Sequence, residues 1–281
     1  MRYVTFASEG KARWGRIDGD RVTALDGLFP SLKTAIEAGK LEAESLASAT
    51  GETLPLAGIA YLPVLPDPGK ILCIGLNYES HRRETGRAEV RNPTVFTRFA
   101  DSQTGHGTAI LCPRESTKLD YEGELAIVIG KGGRRIPAER ALDHVAGYSC
   151  YNDGSVRDWQ AHTIQFTPGK NFPGTGAFGP WLVTPGEFGA PREQRIQTRL
   201  NGVVMQDAVL AQMIFPIGRL IEYCSTFTPL SPGDVIVTGT PGGVGAKRDP
   251  QVFMKPGDRV QVEIDGIGIL ENGIAEEAGA A

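Results

Sequence analysis

Two carboxylates stand one residue apart at the start of an apolar, β-branched segment that runs from Asp120 to Gly130. The apolar part is typical of a buried strand. Side chains of a strand alternate between its faces, so Glu122 and Glu124 are expected to point the same way. A hard divalent cation would offset their mutual repulsion, because Mg²⁺, Mn²⁺ and Ca²⁺ prefer oxygen ligands. The alternative is a solvent-facing side of the strand paired with Lys or Arg, and these two residues alone favour it.

A third carboxylate, Asp153, follows another predicted strand, Val145 to Asn152. Ser155 is expected to cap a helix that extends through His162. On that helix Arg157 and Gln160 are three positions apart and therefore share a face. The segment thus adds an acid and two polar groups that could contact an anionic ligand.

His81 and Glu84 lie at positions i and i+3 of a short helix expected within residues 78–87. On one helix face, Glu84 could orient and polarise the imidazole, as a carboxylate does in catalytic histidine pairs. The alternative is an exposed helical turn in which Glu84 pairs with Arg82 or Arg83, and without other observations this alternative is preferred.

Two glycine-rich loops carry further candidates. The first, Gly169 to Gly176, contains Lys170 but lacks the G-x-x-x-x-G-K-[ST] order of a phosphate-binding loop, so nucleotide binding is not predicted. The second, Gly239 to Gly245, follows a predicted strand and includes Thr240. Its glycines allow the backbone to approach a ligand closely.

The bulk composition excludes several classes of protein. The net charge is −4, from 29 basic and 33 acidic residues, and no basic block is present, which argues against a nucleic-acid binder. No apolar run approaches the ~20 residues of a membrane span, and no signal-peptide pattern is seen. The four cysteines lack a C-x-x-C spacing and are typical of free thiols in a reducing compartment, so a cytoplasmic location is expected.

The arrangement of predicted elements favours a mostly β, α+β fold. The 36 glycines and 19 prolines favour many turns and short strands. Strands do not alternate regularly with long helices, which argues against Rossmann and TIM-barrel architectures. A sharp break at Leu65 to Gly69 predicts a boundary between a small β-rich N-terminal cap or docking domain, residues 1–66, and a catalytic domain, residues 67–281.

Four blocks of the sequence, taken in order, carry a resemblance to a known family. They are Lys70 to Tyr78, followed by His81 and Glu84, then Asp120 to Ala126, Tyr151 to Asp158, and Thr238 to Gly245. In this order they resemble the fumarylacetoacetate hydrolase family, in its short, acylpyruvase-like type, over roughly residues 67–275. One departure is Gly154, where many relatives carry Val or another apolar residue, and this departure could alter the pocket width beside Asp153.

The resemblance implies a fold, a cofactor and a set of functional residues. The fold is a mixed, rolled β-sandwich found in homodimers or higher assemblies, and the cofactor is Mg²⁺ or Mn²⁺, with Ca²⁺ as a substitute in crystals. The implied metal ligands are Glu122, Glu124 and Asp153; the implied catalytic residues are His81, Glu84 and Lys170; the implied substrate-binding residues are Arg157, Gln160 and Thr240.

The implied activity is metal-dependent hydrolysis of a C–C bond in a small 2,4-dioxo acid of the acylpyruvate type, through an enolate that the metal stabilises. The alternatives on the same site are an oxaloacetate-type decarboxylase and a hydroxymuconate-type isomerase or decarboxylase, because one fold and site can host several reactions. The His81–Glu84 pair favours hydrolysis, since it could activate a water molecule. A sensor that binds a keto acid and metal without turnover is the alternative outside the enzymes.

Overall fold

The computed structural model describes residues 1–278, and most of its regular structure is strand. The strands are β1 Arg2–Ser8, β2 Lys11–Asp18, β3 Arg21–Ala24, β4 Thr53–Pro55, β5 Ala60–Tyr61, β6 Ile71–Gly75, β7 Thr94–Arg98, β8 Gln103–Thr104, β9 Ile110–Cys112, β10 Leu119–Asp120, β11 Gly123–Ile129, β12 Val145–Asp153, β13 Ser155–Val156, β14 Gly176–Val183, β15 Arg195–Leu200, β16 Val203–Val209, β17 Val235–Val237, β18 Arg259–Ile264 and β19 Gly268–Glu276.

The helices are short apart from the last one. They are α1 Leu32–Glu37, α2 Glu44–Ala47, α3 Glu79–Glu84, α4 Arg157–Gln160, α5 Thr167–Lys170, α6 Pro185–Phe188 and α7 Ile217–Phe227. Short 3₁₀ segments occur at Leu56–Gly58, Ala100–Ser102, Ala138–His144, Leu210–Gln212 and Gly245–Lys247. Among residues 1–278, no helix is long and apolar enough to cross a membrane.

A 12-stranded sheet forms the centre of the molecule. Its main path is β4-β3-β2-β1-β14-β12-β11-β17-β6-β7, with β5 on β1 and β8 on β14. Every residue of β11 is buried, as its apolar run predicts, because this strand lies between β12 and β17 and is covered on both faces. The strand that carries Glu124 and directly follows Glu122 therefore lies in the buried interior of the fold.

A second sheet of five strands, in the order β16-β15-β18-β19-β9, packs against the first. Ile127 of the large sheet shares one buried cluster with Val262 and Leu270 of the second. The Asn201-Gly202 pair forms the tight turn between β15 and β16, with both residues at positive φ, as this pair favours. The predicted mostly β, mixed sandwich architecture is confirmed.

The N-terminal strands extend the large sheet instead of forming a separate one. β1 pairs with β14 through the registers Arg2 to Val183 and Tyr3 to Leu182. Tyr3 also belongs to the same buried cluster as Val128 of β11. The division of the chain at residue 66 stays a prediction, since a shared sheet and core do not by themselves locate a domain boundary.

The helix expected from Ser155 to His162 is wrong in its start and its length. Ser155 lies in β13 opposite Asp120 of β10, and its hydroxyl donates a hydrogen bond to the Asp153 carbonyl at 2.8 Å. The helix α4 begins only at Arg157 and has no side-chain cap. Strand pairing holds Ser155 in an extended conformation and engages its hydroxyl elsewhere.

Candidate active site

The pairing of β11 with β12 brings the three predicted metal ligands together. Glu122 directly precedes β11, Glu124 is its second residue, and Asp153 ends β12. The Asp153 N–H donates to the Glu122 carbonyl at 2.8 Å, which fixes the two acids side by side. One carboxylate oxygen from each of the three lies within 4.8 Å of the others, and all three residues are buried. The two glutamates face one cavity.

Glu122 and Asp153 are neutralised by buried cations. The Lys170 ammonium lies 2.7 Å from Glu122 Oε2 and also bonds Asp153, while Arg157 Nη2 lies 2.7 Å from Glu122 Oε1. Arg98 Nη1 donates to Asp153 Oδ1 at 2.7 Å. Burial alone would raise the pKa of Glu122, but Arg157 and Lys170 hold this pKa below its ordinary value. Glu122 is therefore an ionised carboxylate.

Glu124 lacks such a partner within residues 1–278. It accepts a hydrogen bond from the Gly239 N–H, but no lysine or arginine lies within ion-pair distance of it. Burial, together with the charges of Asp153 and Glu122, raises the pKa of Glu124 well above its ordinary value. Burying a carboxylate without a compensating charge is costly. A cation bound beside Glu124 would therefore stabilise its ionised form.

These observations fit a divalent metal ion. A bound dication would supply the charge that Glu124 lacks, and three carboxylates form the hard oxygen ligand set that Mg²⁺ and Mn²⁺ prefer. Three protein ligands leave further coordination positions for water or substrate. The residues that would hold the ion are Glu122, Glu124 and Asp153.

His81 and Glu84 form a contact on α3. His81 Nδ1 lies 2.6 Å from Glu84 Oε1, and Glu84 Oε2 accepts a hydrogen bond from the Gly243 N–H at 2.8 Å. Arg82 and Arg83 pair with Glu79 instead, each at 2.7 Å. The alternative pairing of Glu84 with these arginines is therefore wrong.

The tautomer of His81 follows from the Glu84 contact. A carboxylate accepts a hydrogen bond, so Nδ1 carries a proton, and in the neutral imidazole Nε2 is then the nitrogen with the free lone pair. His81 lines the same cavity as the two glutamates. The structure therefore brings an oriented base and the carboxylate cluster to one space.

The cavity has a volume of about 760 Å³. Seven of the predicted site residues line it: His81, Glu122, Glu124, Arg157, Gln160, Lys170 and Thr240. Asp153 is fully buried behind Lys170. Gln160 Oε1 accepts from Arg157 Nη1 at 2.9 Å, and the Thr240 hydroxyl donates to the Gly123 carbonyl at 2.9 Å. These last two residues therefore also stabilise their neighbours, besides facing the cavity.

Three buried residues that support the site were missed from the sequence. Asp120 accepts hydrogen bonds from Arg157 Nε at 2.8 Å and from the Gly245 N–H at 2.8 Å. Its position two residues before Glu122 continues the alternation of acids and could have indicated it. Arg98, on β7, and Gln206, on β16, carry no such signal because they come from distant strands.

Gln206 connects the second sheet to the strand that bears the glutamates. Its Oε1 accepts from the Gly123 N–H at 2.9 Å. Its Nε2 donates to Thr240 Oγ1 at 2.7 Å and to the Pro241 carbonyl at 2.8 Å. One amide thus satisfies buried groups of β11 and of the loop at residues 239–245.

Gly154 does not widen the pocket. It is buried, and a Cβ atom there would lie 2.2 Å from the Thr175 carbonyl oxygen. The position faces backbone, outside the set of residues that line the cavity. Glycine is needed here because β12 and the segment before β14 approach closely.

The family model for the C-terminal domain of fumarylacetoacetate (FAA) hydrolase matches residues 70–275. A second model, Rv2993c-like, N-terminal, matches residues 1–63. The chain therefore belongs to the fumarylacetoacetate hydrolase family, a family of enzymes.

Similar proteins within the family carry different activities in their names. A mitochondrial oxaloacetate tautomerase of Xenopus laevis is 39% identical over 264 residues, covering 91% of this chain and 83% of that protein. A fumarylacetoacetate hydrolase of Exiguobacterium antarcticum is 34% identical with a TM-score of 0.87, covering 99% of this chain and 100% of the other. A 5-carboxymethyl-2-hydroxymuconate delta-isomerase of Mycobacterium smegmatis is 30% identical with a TM-score of 0.82 and the same coverage.

Proposed function

We propose that this protein is a divalent-metal-dependent enzyme that interconverts the keto and enol forms of a small 2-oxo acid, with oxaloacetate as the leading substrate. The observation that carries the proposal is the cavity shared by an oriented imidazole and a buried carboxylate cluster. The similarity to an oxaloacetate tautomerase over 91% of the chain supports the choice of substrate.

His81 is the proposed base. Its Nε2 atom would take a proton from the carbon next to the keto group, while Glu84, whose Oε1 lies 2.6 Å from Nδ1, accepts the Nδ1–H hydrogen bond and stabilises the imidazolium that forms. The same proton delivered to the keto oxygen completes the enol, and the reverse sequence regenerates the keto acid. Glu84 is thus a positioning residue that acts through His81.

Lys170 and Arg157 are the proposed electrostatic partners of the reacting atoms. Burial lowers the pKa of Lys170, but Asp153 and Glu122 raise it by more, so the side chain is an ammonium. Both cations line the cavity next to Glu122, where they favour negative charge that develops on the keto oxygen. A bound Mg²⁺ or Mn²⁺ would act there as a Lewis acid toward the oxygens of the 2-oxo acid.

The decay of enol absorbance in fresh oxaloacetate tests this proposal. Protein with Mg²⁺ is expected to accelerate the decay well beyond Mg²⁺ alone, and His81→Gln protein to lose most of the acceleration. A rate equal to that of Mg²⁺ without protein would refute tautomerase activity. Flat rates with saturable binding of oxaloacetate would favour a sensor.

Hydrolysis of a C–C bond in an acylpyruvate is the second candidate. The cavity volume of about 760 Å³ lies within the range of roughly 300–1,000 Å³ that holds drug-sized ligands, so acids longer than oxaloacetate have room. His81 Nε2 could then take a proton from water instead of carbon. Release of pyruvate from a panel of acylpyruvates with Mg²⁺ tests this reaction, and no release across the panel would refute it.

A further inference from the structure

We infer that Lys247 and Arg87 bind a second carboxylate at the far end of the substrate, so that the enzyme selects 2-oxo diacids over 2-oxo acids with a neutral tail. This inference rests on the proposed function and names the substrate class of the same cavity. Both residues line that cavity. The inference is based on a difference between the cations of this cavity. Arg157 and Lys170, on its inner wall beside Glu122, are ion-paired. Lys247 and Arg87 are exposed and, within the described part of the chain, are not ion-paired.

The cations of the inner wall are already engaged. Arg157 contacts Glu122 at 2.7 Å and Asp120 at 2.8 Å, and Lys170 contacts Glu122 and Asp153. These contacts largely neutralise both side chains before any ligand arrives. They can orient the reacting end of a 2-oxo acid, but they leave little net charge for a second carboxylate.

Unlike the cations of the inner wall, Lys247 has a side chain without an ion-pair partner among residues 1–278, on a backbone that hydrogen bonds hold in place. Its N–H donates to the Val244 carbonyl at 3.1 Å, and Asp120 accepts from the Gly245 and Ala246 N–H groups at 2.8 and 2.9 Å. The ammonium group is exposed, and no carboxylate of residues 1–278 lies within ion-pair distance of it. Lys247 thus presents an unneutralised charge from a fixed loop.

Arg87 has the same combination on the segment after α3. Its N–H donates to the Arg82 carbonyl at 3.2 Å, and its own carbonyl accepts from Arg82 Nη1 at 2.9 Å. Its guanidinium is without an ion-pair partner in the part of the chain that the structure describes. A guanidinium is well suited to carboxylates because it can donate two parallel hydrogen bonds.

The two segments that carry these charges are joined next to the proposed base. Gly243 donates to Glu84 at 2.8 Å, and Gly242 donates to Ser80 Oγ at 3.0 Å. Arg87 lies three residues after Glu84, and Lys247 four residues after Gly243. Both charged residues therefore lie on segments that these hydrogen bonds join, and both line the cavity that His81 lines.

A matched pair of substrates tests the inference. The 4-ethyl ester of oxaloacetate keeps the 2-oxo acid and removes the distal charge. For Lys247→Gln and Arg87→Gln, kcat/KM on oxaloacetate should fall about tenfold each, mainly through KM, because a distal contact of this kind acts equally in the ground and transition states. On the ester the change should stay within about twofold.

Two controls keep the result specific. Lys255→Gln changes an exposed lysine outside the cavity and should behave as wild type on both substrates. The inhibition constant of oxalate, which mimics only the 2-oxo acid end, should be the same in wild type and in all three variants. Unchanged oxalate inhibition shows that the inner site is intact in each variant.

Other outcomes overturn the inference in distinguishable ways. Equal losses on oxaloacetate and its ester, unchanged kinetics in both variants, or wild-type turnover of the ester as fast as oxaloacetate would contradict a distal carboxylate site while leaving the proposed function standing. An absence of turnover of both substrates by wild-type protein would refute the proposed function, and this inference with it.

Discussion

The two halves of the site are held by different means. The carboxylate half is carried by paired strands, and its three acids are at most 5% exposed. The base half is carried by the short helix α3, and the Glu84 side chain is 21% exposed. The carboxylate half is fixed by several buried side chains, whereas α3 contacts the loop at residues 239–245 through the Glu84 and Ser80 hydrogen bonds.

The two halves are therefore suited to different tasks, metal binding in the carboxylate half and proton transfer in the base half. Burying like charges requires many compensating contacts, so changes in the carboxylate half should affect metal binding or folding. An imidazole that transfers protons needs orientation and access to substrate, so changes in the base half should affect turnover alone. Variants of each half test whether metal binding and turnover can be changed separately.

Glu124→Gln should have the largest effect. The amide keeps the shape of the side chain and can still accept from the Gly239 N–H, but it removes a ligand charge. Metal affinity should fall by more than about 100-fold, since even residues outside the ligand set typically change it about 10–100-fold. Calorimetric titration with Mn²⁺ measures this, and affinity within a few-fold of wild type would remove Glu124 from the ligand set.

His81→Gln should remove turnover without affecting the metal. Loss of a general base lowers kcat by about 10²–10⁴-fold, while Mn²⁺ affinity should stay within about twofold because His81 lies outside the predicted ligand set. Rates and Mn²⁺ titrations on the same preparation check both values. A large loss of metal affinity would mean that the two halves are not separate.

Glu84→Gln should have a smaller effect than His81→Gln. The imidazole remains, but its partner at 2.6 Å loses its charge, and a loss of about 10–100-fold in kcat is expected by analogy with other partners that orient a histidine. Glu79→Gln is the matched control, since Glu79 lies on the same helix and pairs with Arg82 and Arg83. If the two variants behave alike, Glu84 does not position His81.

Gln206→Met should affect folding more than chemistry. The change leaves the buried Gly123 N–H without its acceptor, which should lower the free energy of unfolding by about 1–3 kcal/mol. Gln251→Met is the control, because this amide is exposed and, among residues 1–278, its side chain donates only to the Ala246 carbonyl. Surface changes are usually within about 0.5 kcal/mol. Chemical denaturation compares the two, and equal values would contradict the supporting role of Gln206.

Local sequence patterns predicted the strands that carry the acids, β11 and β12. The family resemblance predicted which residues act together in one site. The apolar run after Glu124 predicts β11, and Asn201-Gly202 predicts the hairpin of β15 and β16, because each signal lies within a few residues. No local pattern places Asp153 beside Glu122, since strand pairing over some thirty positions decides it. The resemblance supplied that step.

Contacts between distant segments were beyond sequence reasoning. Arg98 reaches Asp153 from β7, and Gln206 reaches Gly123 from the second sheet. A single arginine or glutamine in a strand is ordinarily a surface residue, so its burial depends on tertiary packing. The extension of the large sheet by the N-terminal strands has the same origin, because the pairing of β1 with β14 leaves no mark in either strand alone.

A crystal structure of the protein with Mn²⁺ and oxalate tests the proposed metal site. We expect anomalous scattering from one ion bound by oxygens of Glu122, Glu124 and Asp153 at roughly 2.0–2.3 Å, with oxalate on the ion and His81 facing it. An ion bound elsewhere, or a cluster in which Glu124 contacts no metal at saturating Mn²⁺, would contradict it.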